Sequence, residues 1–443
     1  MNAPHALAFS RRRLLAQGAL AAGASLLLPR AAPALGIEMD AIPRGERPPQ
    51  DAGAAVLNPR GRVPVSFIID DSTCLVNMAH FGMPQFGEAW PDRDDYKKDW
   101  KSWPREIPDS FVRKFGEWCR TQGVKGKYSV VPYPSCVGWV DRVMPGWSAA
   151  QLRDSLKLVR DFMAPDWDIH PEMISHTRVI DLKTGRPFAE ISRHTMENSH
   201  PAQPVTVDHF ASYIAYALRV LKNADLPVDG FTTPGGFGNL MKSELSLAAI
   251  EAVREVCGSA VPHYFKYLVT EKDGSTQPRV EHASGLGGDD PRCCVNVIGG
   301  TGDWFGGWDG VTFSGSVDQS ADRFITADLK AGRMVEMIEK GEPAIMLCHW
   351  PGIYCNGDET GFQIFQKAIT RVNAAFADRI AWMKLSEIAT YWAAKELTKI
   401  EAAPAGSPYP RRSPRRTSRS RSKRAPSRRC GQRAAANRNR SPK

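Results

Sequence analysis

Val63-Pro64-Val65-Ser66-Phe67-Ile68-Ile69-Asp70-Asp71 is the stretch on which the fold turns. Val63–Ile69 reads as an apolar strand, and two adjacent carboxylates end it. Downstream, short apolar runs alternate with helical periodicity. Strands are predicted at Lys127–Val131, Asp168–Ser175, Gly230–Thr233, Cys294–Ile298, Ala344–Cys348 and Ile380–Leu385. Helices are predicted at Ser110–Thr121, Ala149–Met163, His209–Leu221, 243–256, 321–339, 360–375 and Ser386–Leu397. The clearest helix places Phe210, Tyr213, Ile214, Ala217, Leu218 and Leu221 on one face. This β-α-β-α rhythm implies a parallel sheet covered by helices. About seven strands over residues 63–397 suit a single-domain, distorted α/β barrel, whose chemistry sits where the strands end.

The ends of the chain have a different composition. Residues 1–34 carry Arg11, Arg12, Arg13 and Arg30 and no acid, and residues 401–443 carry 14 Lys+Arg against Glu401 alone. The net charge of +10 therefore leaves residues 35–400 at −7, so the basic pI gives no reason to expect nucleic acid on the body. Ser10-Arg11-Arg12-Arg13-Leu14-Leu15, the apolar run Ala19–Leu28 and Ala32-Pro33-Ala34 read as a twin-arginine signal with a cleavage site. The expected partner there is the twin-arginine translocase, and the expected destination is the periplasm or beyond. The run is too short for a good membrane span, so no stable insertion is expected after cleavage. Residues 35–62 read as a Pro/Gly/Arg-rich linker, and 401–443 as a disordered basic tail. None of the nine cysteines forms a C-x-x-C pair, which argues against a structural zinc knuckle.

Four polar clusters fall at predicted strand ends. Asp70-Asp71 places like charges side by side, a cost that a metal relieves. His170-Pro171-Glu172-Met173-Ile174-Ser175-His176-Thr177, running on to Asp181, is dense in ligand-type residues. Thr232-Thr233-Pro234-Gly235-Gly236 is a turn that lets backbone approach a ligand. Leu347-Cys348-His349-Trp350 ends the last of these strands. Strand alternation there puts His349 and Cys348 on opposite faces.

Taken in order, strand-Asp-Asp, His-Thr, Thr-x-Pro-Gly-Gly and Leu-x-His resemble the signature of polysaccharide deacetylases, the NodB-like barrel family. The resemblance spans roughly residues 63–397. It implies Asp70 as general base, Asp71 and His176 as ligands of a divalent metal, zinc in that family, and His349 as general acid. Ile180 stands where the second metal histidine belongs, so His170 or Asp181 would have to substitute. The arginine that orients the base in that family is Thr232 here. His194-Thr195 is a rival for the second motif. Thr233, Pro234, Gly235, Trp304 and Trp350 are the expected substrate contacts, with Trp308 and Tyr354 as further aromatics near the mouth. The implied activity is metal-dependent hydrolysis of an N- or O-acetyl group on a carbohydrate. Hydrolysis of a C–N bond in a small amide, and a non-catalytic carbohydrate-binding barrel, are the alternatives.

Overall fold

A computed structural model describes residues 45–401 except 314. The proposed signal, and the tail beyond Glu401, lie outside the described residues. Eleven strands occur among those described: β1 (Val63–Asp70), β2 (Gly126–Ser129), β3 (Trp167–His170), β4 (Ile180–Asp181), β5 (Arg186–Pro187), β6 (Gly230–Thr232), β7 (His263–Leu268), β8 (Arg279–Ser284), β9 (Arg292–Gly299), β10 (Ala344–His349) and β11 (Ile380–Trp382). The α-helices are α1 (Met78–Ala89), α2 (Asp109–Gln122), α3 (Ala149–Leu158), α4 (Val207–Asn223), α5 (Lys242–Cys257), α6 (Val317–Phe324), α7 (Arg333–Lys340), α8 (Trp350–Tyr354), α9 (Thr360–Phe376) and α10 (Leu385–Leu397).

Seven parallel strands make the barrel. One sheet runs β10-β1-β2-β3 and another runs β6-β7-β9, with β8 antiparallel on the far edge of β9. The seams close them into a ring. β3 meets β6 through the bridges Ile169–Val228 and Glu172–Thr232, and the Gly300 N–H donates to the Ile345 carbonyl at 2.7 Å between β9 and β10. β11 is wedged beside β2: Val63 N and Val65 O bond it, while Phe67 N, on the same edge, bonds the chain entering β2. Seven strands were expected, and the ring has seven, but the membership differs. β7 takes the place that the sequence pattern gave to β11.

Alternation along β1 sorts the core. Phe67 and Ile69 face α2 and α9, in a layer with Phe115 and Phe365. Ile68 faces inward, with Phe265, Val295, Val297, Ile345 and Leu347, and α10 packs Leu385, Ile388 and Trp392 into the same cluster. Helices α4 and α5 cover Phe231 and Tyr264 on the opposite side. The predicted helix 321–339 is two helices, because Gly332 (φ 108°) opens the turn between them. Helix α1 escaped the periodicity because Gly82, Pro84 and Gly87 interrupt it. Asn77 caps its start by accepting from Ala79 N.

Residues 45–51 lie along the body. Glu46 accepts from the Gly285 and Leu286 backbone, Gln50 Nε2 donates to the Lys395 and Thr398 carbonyls, and Asp51 N donates to Ile400 O at 2.9 Å. No described helix is long and apolar enough to cross a membrane. The cysteines described are free thiols, and Cys430 lies outside the described residues.

Candidate functional site

The end of β1 and the turn after β3 build the site between them. Asp70 is the last residue of β1, in register with His349, the last of β10, so parallel pairing sets these two side by side at one rim. Asp71 turns out of the strand in a left-handed conformation (φ 57°), and His176 adopts the same conformation (φ 63°). Non-glycine residues hold such geometry only where their surroundings enforce it. At Asp71 the enforcing contact is Glu172 Oε2, which accepts its N–H at 2.8 Å. At His176 it is Glu197. This buried carboxylate accepts from Ile174 N, Ser175 N, His176 N at 2.6 Å and the Tyr213 hydroxyl at 2.6 Å.

Three ligand-type side chains then converge. His176 Nε2 lies 2.8 Å from Asp71 Oδ1 and 3.3 Å from Glu172 Oε1. Asp71, Glu172 and His176 form one of two groups among the described residues whose ligand atoms lie close enough to share an ion. Asp71 Oδ1 is buried and makes no contact of hydrogen-bond geometry despite its closeness to the imidazole. Two carboxylates and an imidazole brought this close together in a buried place are a donor set that fits a divalent metal.

The charges around this point are sorted by burial and by Lys127. That lysine is wholly buried in β2 and donates to Asp70 Oδ1, to the Ile69 carbonyl at 3.0 Å and to Ser129 Oγ at 2.7 Å. Ser129 in turn donates to Glu172 Oε2 at 2.9 Å. Burial first, and the Glu172 charge second, push Asp70 up to about 7, over the opposing pull of Lys127. Glu172 is held down at about 2: burial works against this, but His176 and then Lys127 outweigh it. His349 is raised to about 10. Its burial is overridden by the 2.7 Å contact of Nδ1 with Asp303 Oδ2 and by the charges of Asp71 and Asp70. Asp70 is thus poised to take a proton near neutrality and His349 to give one.

The cavity above these groups has a volume of about 270 Å³. Phe86, Tyr96 and Trp308 form one wall, with ring centroids 5.3–5.7 Å apart. Thr233, Gly235 and Asn198 line another. A β-bulge in β7 between Phe265 and Leu268 turns Lys266 into the lining as well, where burial lowers it to about 7.

No family model matches the chain. No curated protein matches it either. Among solved structures, it is similar to a chain provisionally described as a polysaccharide deacetylase from Mycobacterium smegmatis, at 14% identity and TM-score 0.44, covering 81% of this chain and 98% of that one. It is also similar to PuuE allantoinase, at 11% identity and TM-score 0.40, covering 76% and 92%. A third is a chain provisionally described as a glycoside hydrolase/deacetylase from Parabacteroides distasonis, at 12% identity and TM-score 0.42, covering 75% and 71%. At these values the likeness assigns no activity.

Of the residues singled out from sequence, Asp70, Asp71, His176, Thr233, Gly235, Trp308 and His349 line this one cavity. Others do not. His170 Nε2 lies 3.1 Å from His263 Nε2, in the second ligand-type group rather than beside Asp71. Asp181 caps its own hairpin, accepting from Lys183 N and Thr184 Oγ1. Glu172 occupies the position for which these two were considered. Trp350 is fully buried among Phe111, Phe115 and Tyr128, because it follows inward-facing His349 and so turns outward into the helix layer. Trp304 packs on Phe324 with Arg323 over its face, Tyr354 packs on Phe111, and Pro234 is not in the lining. His194 is exposed in a 3-10 turn. Sequence reading missed Lys127 and Glu197, and placed Glu172 in a ligand-dense stretch without giving it a role of its own. A lysine inside an apolar strand was the available signal for Lys127, and an i,i+4 carboxylate for His176 was the signal for Glu172.

Proposed function

We propose that the chain is a metal-dependent hydrolase of an amide or ester carbonyl, with an N- or O-acetyl group on a carbohydrate as substrate. The convergence of Asp71, Glu172 and His176 between a poised base and a protonated acid carries this reading. A divalent cation held by those three would polarise a carbonyl and acidify a water. Asp70, kept near neutrality by burial and oriented by Lys127, accepts the proton of the attacking water. Lys127 does the orienting for which the related family uses an arginine. The Asp303-bound imidazole of His349 donates to the leaving nitrogen or oxygen from its free edge. Phe86, Tyr96 and Trp308 offer faces for a sugar ring, and the Thr233–Gly235 turn offers backbone to the acyl group. A small cyclic or linear amide is the second reading, favoured by the modest cavity of about 270 Å³.

Acetylated glycans and small amides, assayed with protein of measured metal content, separate these readings. Asp71→Ala and His176→Ala are expected to lose the metal held by Asp71, Glu172 and His176, and Asp70→Asn to keep it while losing turnover. A wild-type protein that binds no divalent metal would leave the non-catalytic barrel. We further propose that Arg11 and Arg12 direct export. Replacing both with Lys and finding the protein still exported would end that idea.

A further inference from the structure

A second polar cluster lies inside the barrel wall, away from the catalytic cavity. Asp168 and His170 project from β3, Asp229 immediately precedes β6, and His263 begins β7. Their ligand atoms all lie within 4.8 Å of one another. His170 Nε2 is 3.1 Å from His263 Nε2, which is 4.0 Å from Asp229 Oδ1. A single N–H···N bond between neutral imidazoles accounts for the first contact. It does not account for two carboxylates beside the same point.

Gly230 lies between the two imidazoles. A Cβ there would fall 2.7 Å from both Nε2 atoms, so the glycine keeps open the space on which the nitrogens converge. Asp168 is fixed from behind: Ser386 N and Oγ donate to it at 2.7 and 2.8 Å, and Lys384 Nζ lies 3.6 Å away. Such outer contacts are how metal-binding carboxylates are aimed. Asp229 is half exposed and provides the entry path.

We propose that Asp168, His170, Asp229 and His263 form a second, structural zinc site that clamps β3, β6 and β7. Two imidazoles and two carboxylates are a neutralising, four-ligand set for Zn²⁺ with no position left for substrate. The clamp falls at the seam where β3 and β6 share only isolated bridges instead of a continuous ladder.

The full-length chain, loaded with zinc and freed of excess, tests this by metal analysis. His176→Ala removes the first site, and this variant is expected to retain one zinc per chain. Adding His263→Ala, or Gly230→Ala, to it is expected to abolish that zinc. Cobalt in the His176→Ala protein should give the visible absorption of a tetrahedral nitrogen–oxygen site, absent from either double variant. Because His176→Ala is the background, the outcome does not depend on the catalytic reading. A folded His176→Ala protein, verified by circular dichroism, that holds no zinc overturns the proposal. So does a folded His176→Ala/Gly230→Ala protein that keeps its zinc and its cobalt spectrum.

Discussion

His349 owes its charge to Asp303, and that dependence can be measured. Burial alone would lower its pKa, yet the Asp303 contact and the neighbouring carboxylates raise it to about 10. An acid of that kind works below its pKa, so the basic limb of the kcat/KM profile reports it. Asp303→Asn removes the contact, and the limb is expected to move to lower pH. An unmoved limb would exclude His349 as the acid. The same pair stabilises the fold fully below about 6.5 and loses that contribution as pH rises through about 10, so the variant should lack this alkaline loss. The tryptophans give a second comparison. Trp350→Ala hollows a fully buried site and should cost about 3–5 kcal/mol in a denaturant titration. Trp308→Ala should cost less stability, since that ring is only partly buried, and should raise KM, because it borders the cavity. From sequence the two looked alike, since adjacency to a polar motif does not say which way a side chain points. The alternation that turned His349 inward already required Trp350 to turn outward.

At the level of elements, the strands were legible and the turn after β3 was not. Apolar runs such as Ser66–Ile69 and Ile345–Cys348 announce themselves, and with them the positions of Asp70 and His349 at one rim. β7 did not, because His263 and Lys266 break an otherwise aromatic run, each being placed for a site rather than for the sheet. The path of residues 171–177 is fixed by Glu197, twenty-one residues beyond His176, through bonds to successive backbone amides. Nothing in spacing reveals a loop held by a distant buried carboxylate. Glu197→Ala is therefore expected to weaken divalent-metal binding by roughly 10–100-fold, as loss of a supporting contact does, with the fold retained. Isothermal titration with zinc would measure it. Unchanged affinity would show that the turn keeps its shape without the carboxylate.

For the whole molecule, buried charge is the main liability. Asp71, Glu172 and Asp168 are all buried close to further carboxylate or imidazole groups, which ordinary cores avoid unless the charges are compensated. Ions that bind only the folded chain stabilise it by mass action, by about 4 kcal/mol at a thousandfold excess over Kd. Chelation should therefore lower the melting temperature, and zinc should restore it. A melting curve indifferent to chelator would mean that these carboxylates are compensated by protons instead.

The strap formed by residues 45–51 carries one more consequence. Because Asp51 and Ile400 are hydrogen-bonded to each other, the polypeptide of the body returns to where it set out and is almost a closed loop. Its starting point is then arbitrary as far as packing is concerned. A circular permutant joining Ile400 to Pro49 through a short glycine linker, with new ends cut in the exposed Lys183–Thr184 hairpin, should fold and bind metal like the parent. It would also give both ends a location remote in sequence from Asp70 and His349.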